Sequence, residues 1–364
     1  MTATDSAMTP LARKLAARIA AEGPITLHDY MEACLYDPEH GYYKKREALG
    51  RAGDFITAPE ISQVFGELIG LWAGETWRIM GQPAAVRLIE LGPGRGTLMA
   101  DALRALRVLP AFLQSATVHL VETSAPMRAA QEAALGGAPC PVSWHERIED
   151  VPDGPAIVIA NEFFDCLPVR QHVFDEPAQF WRERLVAFED GSFKFALSAA
   201  GTEVAAFRPD LPAVEDGAIV ETRPGAGSVL RVRARSGPLA ALIIDYGYVQ
   251  PAYGDTVQAV SRHRFAGLFD APGEADLTAH VDFSGLAQAA KERGLTSSGP
   301  MPMGEWLLRL GLEARVNQLM RRASSEKAEE IRSRVSRLVD PAQMGALFKV
   351  LVITGGVPGS LPPF

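Results

Sequence analysis

Two rhythms of apolar residues alternate along this chain, one of strand length and one of helical spacing. From residue 85 onward they take turns. Residues 86–91 predict a strand and 97–107 a helix, and 117–121 and 125–135 repeat the pair. A short strand at 142–145 and a fully apolar one at 156–160 follow. Further on stand a strand at 240–245, a helix at 283–293 and a last strand at 347–354. Asp282 would start that helix and Gly294 stop it. Such βα alternation predicts an α/β fold, a doubly wound, mostly parallel, Rossmann-like sheet covered by helices.

The first 80 residues read differently. Residues 9–35 predict a helix, with Thr9 as cap and Pro10 in its first turn. A polar, glycine-bearing stretch spans 37–54, and a second helix begins near Pro59, carrying Ile61, Val64, Phe65, Leu68, Ile69 and Trp72 on one face. Two segments interrupt the later alternation. Residues 171–236 contain period-two stretches (179–188 and 192–197) and predict an antiparallel insertion; 303–340 predict helical cover. The expected organisation is therefore an amino-terminal helical segment with a substrate-side loop, 1–80, and a core, 81–364.

Composition narrows the function. The chain has 364 residues, 47% hydrophobic and 22% charged, as in soluble globular proteins, and no apolar run long enough to insert in a membrane. Its net charge of −8 has the wrong sign for a nucleic-acid partner. Cys34, Cys140 and Cys166 are odd in number and far apart, and the histidines are scattered, so neither a disulfide framework nor a metal site is expected. With no apolar signal core near Asp5, the expected compartment is the cytoplasm of a bacterium, or the mitochondrial matrix of a eukaryote.

The sharpest chemistry lies in Leu88-Ile-Glu-Leu-Gly-Pro-Gly-Arg-Gly-Thr97, where a strand runs into three alternate glycines and then a helix. Glycine permits the tight turn and the close approach of a ligand, and a helix amino terminus presents unpaired N–H groups. A dinucleotide fingerprint would place its third glycine at 97, where Thr97 stands, and a phosphate loop would need a Gly-Lys-Ser/Thr end. Glu122 ends the next strand, 30 residues after Gly92, and a carboxylate can accept two hydrogen bonds from a diol. Asn161, Glu162 and Asp165 follow the apolar strand before them, and Asp245 ends another, so all should emerge at one edge of the sheet. Phe163 and Phe164 read either as core or as walls of a channel there.

The strand-Glu-x-Gly-x-Gly-x-Gly-helix pattern resembles motif I of class I S-adenosylmethionine-dependent methyltransferases. The resemblance implies that Glu90, Gly92, Pro93, Gly94, Gly96 and Thr97 hold that cofactor, with Glu122 on its ribose and Asn161 beside it. Longer blocks are similar to the MidA family, whose mitochondrial members are called complex I assembly factor 7. These are Gly41-Tyr-Tyr43, Gly53-Asp-Phe-Ile-Thr-Ala-Pro-Glu-Ile-Ser-Gln63, Asn161-Glu-Phe-Phe-Asp-Cys-Leu-Pro168 and Asp276-Leu-Thr-Ala-His-Val-Asp-Phe283. Where that family usually has alanine, this chain has Cys166. Membership implies symmetric dimethylation of an arginine in the NuoD-like subunit of respiratory complex I. Only the resemblance points to arginine.

Guanidinium, with a pKa of roughly 12.5–13.8, is a poor nucleophile unless carboxylates orient it and take its proton. Glu162 and Asp165 are the catalytic candidates. Tyr42, Tyr43, Asp54, Phe55, Phe163, Phe164, Asp245, His280 and Asp282 are candidates for contact with the acceptor, although Asp282 reads first as a helix cap. The acceptor is expected beside 41–63 and the insertion. Three alternatives stay open: another methyl acceptor such as lysine or a small molecule, a non-catalytic assembly protein, and a nicotinamide oxidoreductase.

Overall fold

The computed structural model describes residues 8–44, 57–202, 213–227, 237–261, 263–321 and 323–364. The chain enters through α1 (Pro10–Glu22), β1 (Ile25–Thr26) and α2 (Leu27–Tyr36), so the single helix expected over 9–35 is two. Gly23, at φ 87, ends α1, Pro24 follows, and the Thr26 side chain caps α2 by accepting from the Asp29 amide. Next come α3 (Ala58–Ile61) and α4 (Gln63–Ile79).

The alternating core then runs β2 (Val86–Leu91), α5 (Thr97–Ala105), α6 (Pro110–Ser115), β3 (Ala116–Val121), α7 (Ala125–Leu135), β4 (Val142–His145) and β5 (Ala156–Asn161). After β6 (Arg170–Asp175), β7 (Phe180–Glu189), β8 (Ser192–Thr202) and β9 (Ile219–Thr222), the core resumes at β10 (Leu239–Tyr248). Short strands β11 (Gln258–Ser261), β12 (Arg264–Ala266), β13 (Asp276–Thr278) and β14 (Val281–Asp282) lead to α8 (Phe283–Glu292) and β15 (Thr296–Pro302). Helices α9 (Met303–Arg309), α10 (Leu312–Met320), α11 (Ser325–Val339) and α12 (Met344–Leu347) precede β16 (Phe348–Gly355).

The main sheet has the order β15-β16-β10-β5-β2-β3-β4, with β14 beside β10. Strands β10, β5, β2, β3 and β4 are mutually parallel; β16 is antiparallel to both its neighbours. Alternate strand residues feed two cores. Leu88, Val118, Ile157 and Leu242 meet α4, α5, α9 and α11 on one face, whereas Ile89, Val158 and Ile243 meet Phe283, Leu286 and Ala290 of α8 on the other. From β2 the chain winds outward through β3 and β4, then returns to β5 on the other side. The winding reverses between β2 and β5, and open α/β sheets bind ligands at that point.

The segment after β5 builds a separate antiparallel sheet, β1-β7-β6-β9 with β8 on β7, in which Ile25 opposes Val186. Helices α1 and α2 bury Leu11, Leu15, Leu27, Tyr30 and Met31 against it. By contrast α3 and α4 share a core with the main sheet, so the packing is continuous across the expected boundary at 80.

Helix α4 carries one glycine per turn, and Gly66 and Gly70 face α5 while Gly74 faces Leu106 and Leu109 just beyond it. A Cβ at Gly70 would stand 2.5 Å from the Ala102 carbonyl oxygen, and one at Gly66 2.7 Å from the Asp101 Cβ. Since α5 begins at the glycine loop, this contact anchors the loop from behind. At an open mid-helix position Gly→Ala stabilises by about 1 kcal/mol. Gly70→Ala is expected instead to destabilise by about 1–3 kcal/mol in urea unfolding, because the helices must separate. A gain in stability would contradict this account of the contact.

Candidate active site

Strands β2, β3, β5 and β10 are parallel and in register, so their carboxyl ends share one edge, where a cavity of about 310 Å³ opens. Beyond β2, Gly92, Gly94 and Gly96 adopt φ of 59, 52 and 82, which side chains disfavour. Two of the three have a packing reason as well. A Cβ on Gly92 would sit 3.0 Å from the Phe163 ring, and one on Gly96 3.3 Å from the Gln131 Cα. Gly96 is also the left-handed first cap of α5, and the Gly92 amide is tied to the Val121 carbonyl at 3.1 Å. Glu90, Gly92, Pro93, Gly94 and Thr97 line the cavity, whereas Gly96 stands behind it against α7.

Glu122 stands just past β3, its Oε1 accepting from the Ser124 amide at 2.7 Å and its Oε2 from Gln131 Nε2 at 3.3 Å. Burial pushes its pKa up, against the pull of those bonds. Past β5, Asn161 and Glu162 turn into the cavity. Glu162 has φ 48, a strained value for a side chain that costs about 1–3 kcal/mol. Its Oε1 receives the Ala58 amide at 3.0 Å and Asn161 Nδ2 at 3.3 Å, and burial pushes its pKa up to about 7. Burial alone pushes Glu90 up to about 8.

Other expected site residues take different places. Asp245 is fully buried and does not reach the cavity; its Oδ2 accepts the amides of Phe163, Phe164 and Asp165 at 3.2, 2.9 and 3.2 Å. Asp165 is buried and does not line the cavity; its Oδ1 accepts from the Cys166 thiol at 3.3 Å, and burial raises its pKa. Of the two carboxylates, then, Glu162 lines the cavity and Asp165 does not. Phe163 forms cavity wall, and Phe164 is core. Tyr43 lines the cavity and donates to Asp276 at 2.8 Å, whereas Tyr42 is buried edge-on behind it. His280 and Asp282 line a second hollow beyond Leu167, and Asp282 caps α8 by accepting from the Gly285 amide at 3.0 Å. Asp54 and Phe55 lie outside the described residues.

Several lining residues escape sequence reasoning. Tyr36, Pro59 and Glu60 come from the amino-terminal segment, and Thr97 donates to Glu60 at 2.6 Å across the cavity rim. Glu60 lies inside the block 53–63, yet nothing in its spacing singles it out. Cys166 lines the wall, its thiol 2.9 Å from the Tyr43 hydroxyl. The triad His28, Asp29 and Glu32, which could in principle gather round a cation, contributes nothing to this cavity.

Chemically, the cavity is a cation seat. Among the described residues, its charged lining is Glu60, Glu90, Glu122, Glu146 and Glu162 against Arg95. Glu90 Oε2, Asn161 Oδ1 and Ser124 Oγ are buried there with no hydrogen-bond partner among the described residues. Buried acceptors beside carboxylates suit a ligand rich in N–H and O–H donors and carrying positive charge. The Gly96 amide is taken by the Pro93 carbonyl at 2.8 Å, so the first turn of α5 from Thr97 onward offers room for one anionic group.

Comparison with known proteins matches that chemistry. Residues 68–301 match a family model described as "Putative S-adenosyl-L-methionine-dependent methyltransferase". Over 97% of this chain and 86% of the relative, it is 40% identical to "Protein arginine methyltransferase NDUFAF7 homolog, mitochondrial" of Drosophila melanogaster. "Protein arginine methyltransferase NDUFAF7, mitochondrial" of Homo sapiens is 35% identical over 96% of this chain and 84% of its own length. A crystal structure from Burkholderia thailandensis, holding S-adenosyl-homocysteine, superposes with a TM-score of 0.82 at 31% identity, covering 98% of this chain and 94% of that one.

Two outcomes follow for cofactor binding and stability. Gly94→Val is expected to abolish S-adenosylmethionine binding in calorimetric titration while the chain stays folded, since a branched side chain would enter the cofactor's space. Wild-type affinity would remove Gly94 from the cofactor site. Glu90 and Glu162 are held at about 8 and about 7 against an ordinary 4.5. The folded chain thus binds these protons more tightly than the unfolded one. That contribution to stability is full below about pH 4.5 and is lost as pH rises through about 7 to 8. The thermal midpoint of cofactor-free Glu90→Gln should accordingly fall less steeply than wild type between about pH 5 and about pH 8; parallel slopes would contradict the assignment.

Proposed function

This chain belongs to the family of S-adenosyl-L-methionine-dependent methyltransferases that includes its arginine-methylating relatives, and we propose that it methylates an arginine side chain of a protein. The observation that carries the reading is the acidic cavity with Glu162 half-buried in its wall and its pKa pushed up to about 7. By the MidA resemblance, the acceptor is the NuoD-like subunit of complex I and the product symmetric dimethylarginine. Relatives named as mitochondrial, together with Cys34, Cys140 and Cys166 all free, support a reducing compartment: mitochondrial matrix, or bacterial cytoplasm.

S-adenosylmethionine supplies an electrophilic methyl on a sulfonium. The chain's part is to bind, orient and exclude water. Glu122 would hold the ribose, the first turn of α5 the carboxylate, and Glu90 with Asn161 the ammonium. Phe163 and Leu167 keep the wall apolar. Glu162 orients the guanidinium and accepts its proton, a role for which a carboxylate pKa near neutrality is suited. Burial does most to keep that pKa raised, and the negative charges of Asp165 and Asp276 add to it. Tyr36, Tyr43, Pro59 and Glu60 form the acceptor-side wall.

The test is single-turnover methylation of the purified NuoD-like subunit at saturating cofactor. Glu162→Gln should lower the rate by about 10²–10⁴-fold with cofactor binding retained. Asp165→Asn, which touches neither ligand, should lower it less and shift the pH at which the rate rises, because Glu162 loses a negative neighbour. Wild-type rates in Glu162→Gln would rule out this residue, and methyl groups found only on lysine would rule out the arginine reading.

A further inference from the structure

One fully buried amide touches both halves of the cofactor cavity. Gln131, on α7, donates from Nε2 to the Gly94 carbonyl at 2.7 Å and to Glu122 Oε2 at 3.3 Å. Its Oε1 accepts from Trp144 Nε1, on β4, at 2.9 Å. Indole nitrogen can only donate, so Trp144 fixes which end of the amide is oxygen. Both N–H groups must then face the glycine loop and Glu122. Two bonds consume the amide's donors and a third occupies its oxygen, and the α7 backbone at Gln131 also rests against Gly96.

We propose that Gln131 is a positioning residue for the cofactor, with Trp144 orienting it: it holds the glycine loop and Glu122 at the spacing that receives the two ends of one ligand. The inference rests on the reading that Gly94 and Glu122 hold S-adenosylmethionine. It assigns the function to a residue that touches neither the methyl nor the acceptor. Its loss therefore weakens S-adenosylmethionine and S-adenosylhomocysteine alike and spares the rate once the cofactor is saturating.

Gln131→Glu separates positioning from packing. Ionised, that side chain cannot donate, and it sets a second negative charge against Glu122; protonated, it regains one donor. Affinities for both ligands should fall about tenfold or more near pH 8, and the ratio to wild type should recover towards pH 5.5, about where a protonated carboxyl can form. A merely structural role would leave that ratio independent of pH. Should Gln131→Glu fail to fold, Trp144→Phe keeps the ring, removes the donor and frees the amide to turn. It should weaken both ligands several-fold, although Trp144 does not line the cavity.

Calorimetric titration of these variants and Glu122→Ala, with single-turnover rates at saturating cofactor, decides the matter. Weakened, pH-rescued binding with near-wild-type rates supports the proposal. Wild-type affinity in both Gln131→Glu and Trp144→Phe, while Glu122→Ala is weakened, overturns it and leaves the cofactor site intact. Wild-type affinity in Glu122→Ala overturns the ribose assignment, and the proposal with it.

Discussion

A single buried oxygen, Asp245 Oδ2, gathers the amides of Phe163, Phe164 and Asp165, and the acceptor side of the cavity depends on it. Asp245 Oδ1 takes a fourth amide, from Tyr246 at 2.9 Å. A carboxylate with no exposed surface is costly unless its lone pairs are filled, and four amides fill most of them. The same bonds force the chain to turn sharply as it leaves β5. Glu162 absorbs that turn at φ 48, and its side chain is thereby aimed into the cavity. The strain at Glu162 is thus balanced by hydrogen bonds one strand away.

The turn gathers negative charge where little water reaches. Burial raises the pKa values of Glu162, Asp165 and Asp245; Asp165 adds to the rise at Glu162 and Asp245, Glu162 adds to that at Asp245, and Glu90 is raised by burial alone. Such a cluster weakens the fold at neutral pH and strengthens the attraction for a sulfonium or a guanidinium. The helices supply the compensation. The α4–α5 contact through Gly66 and Gly70 holds the glycine loop, and Glu67, buried behind it, is held by Arg104 and Arg315.

Sequence periodicity reaches as far as the strand ends and stops at side-chain direction. The parallel strands and the glycine loop are legible because buried strands are apolar throughout and because alternate glycines before a helix are uncommon. Gly23-Pro24 breaks the amino-terminal helix where apolar spacing alone continues it. Strands β11 to β14, of two to four residues, are too short for a period to show, and β15 carries serines, a glycine and prolines with a register shift after Ser298. Asp165 and Asp245 share the strand-edge address of Glu162, yet which way each turns is set by amide partners on another strand. Gln131 occupies the apolar face of α7 between Met127 and Leu135, a polar residue at a core position. That anomaly is the one trace of its role in the sequence.

Protein arginine methylation is the central claim, and it is measured most directly on the acceptor itself. The NuoD-like subunit, isolated from cells with and without this gene, is digested and its arginine-containing peptides fragmented by mass spectrometry. The account predicts one arginine carrying symmetric dimethylation when the gene is present and unmodified when it is absent. The same methylation state in both strains would contradict it.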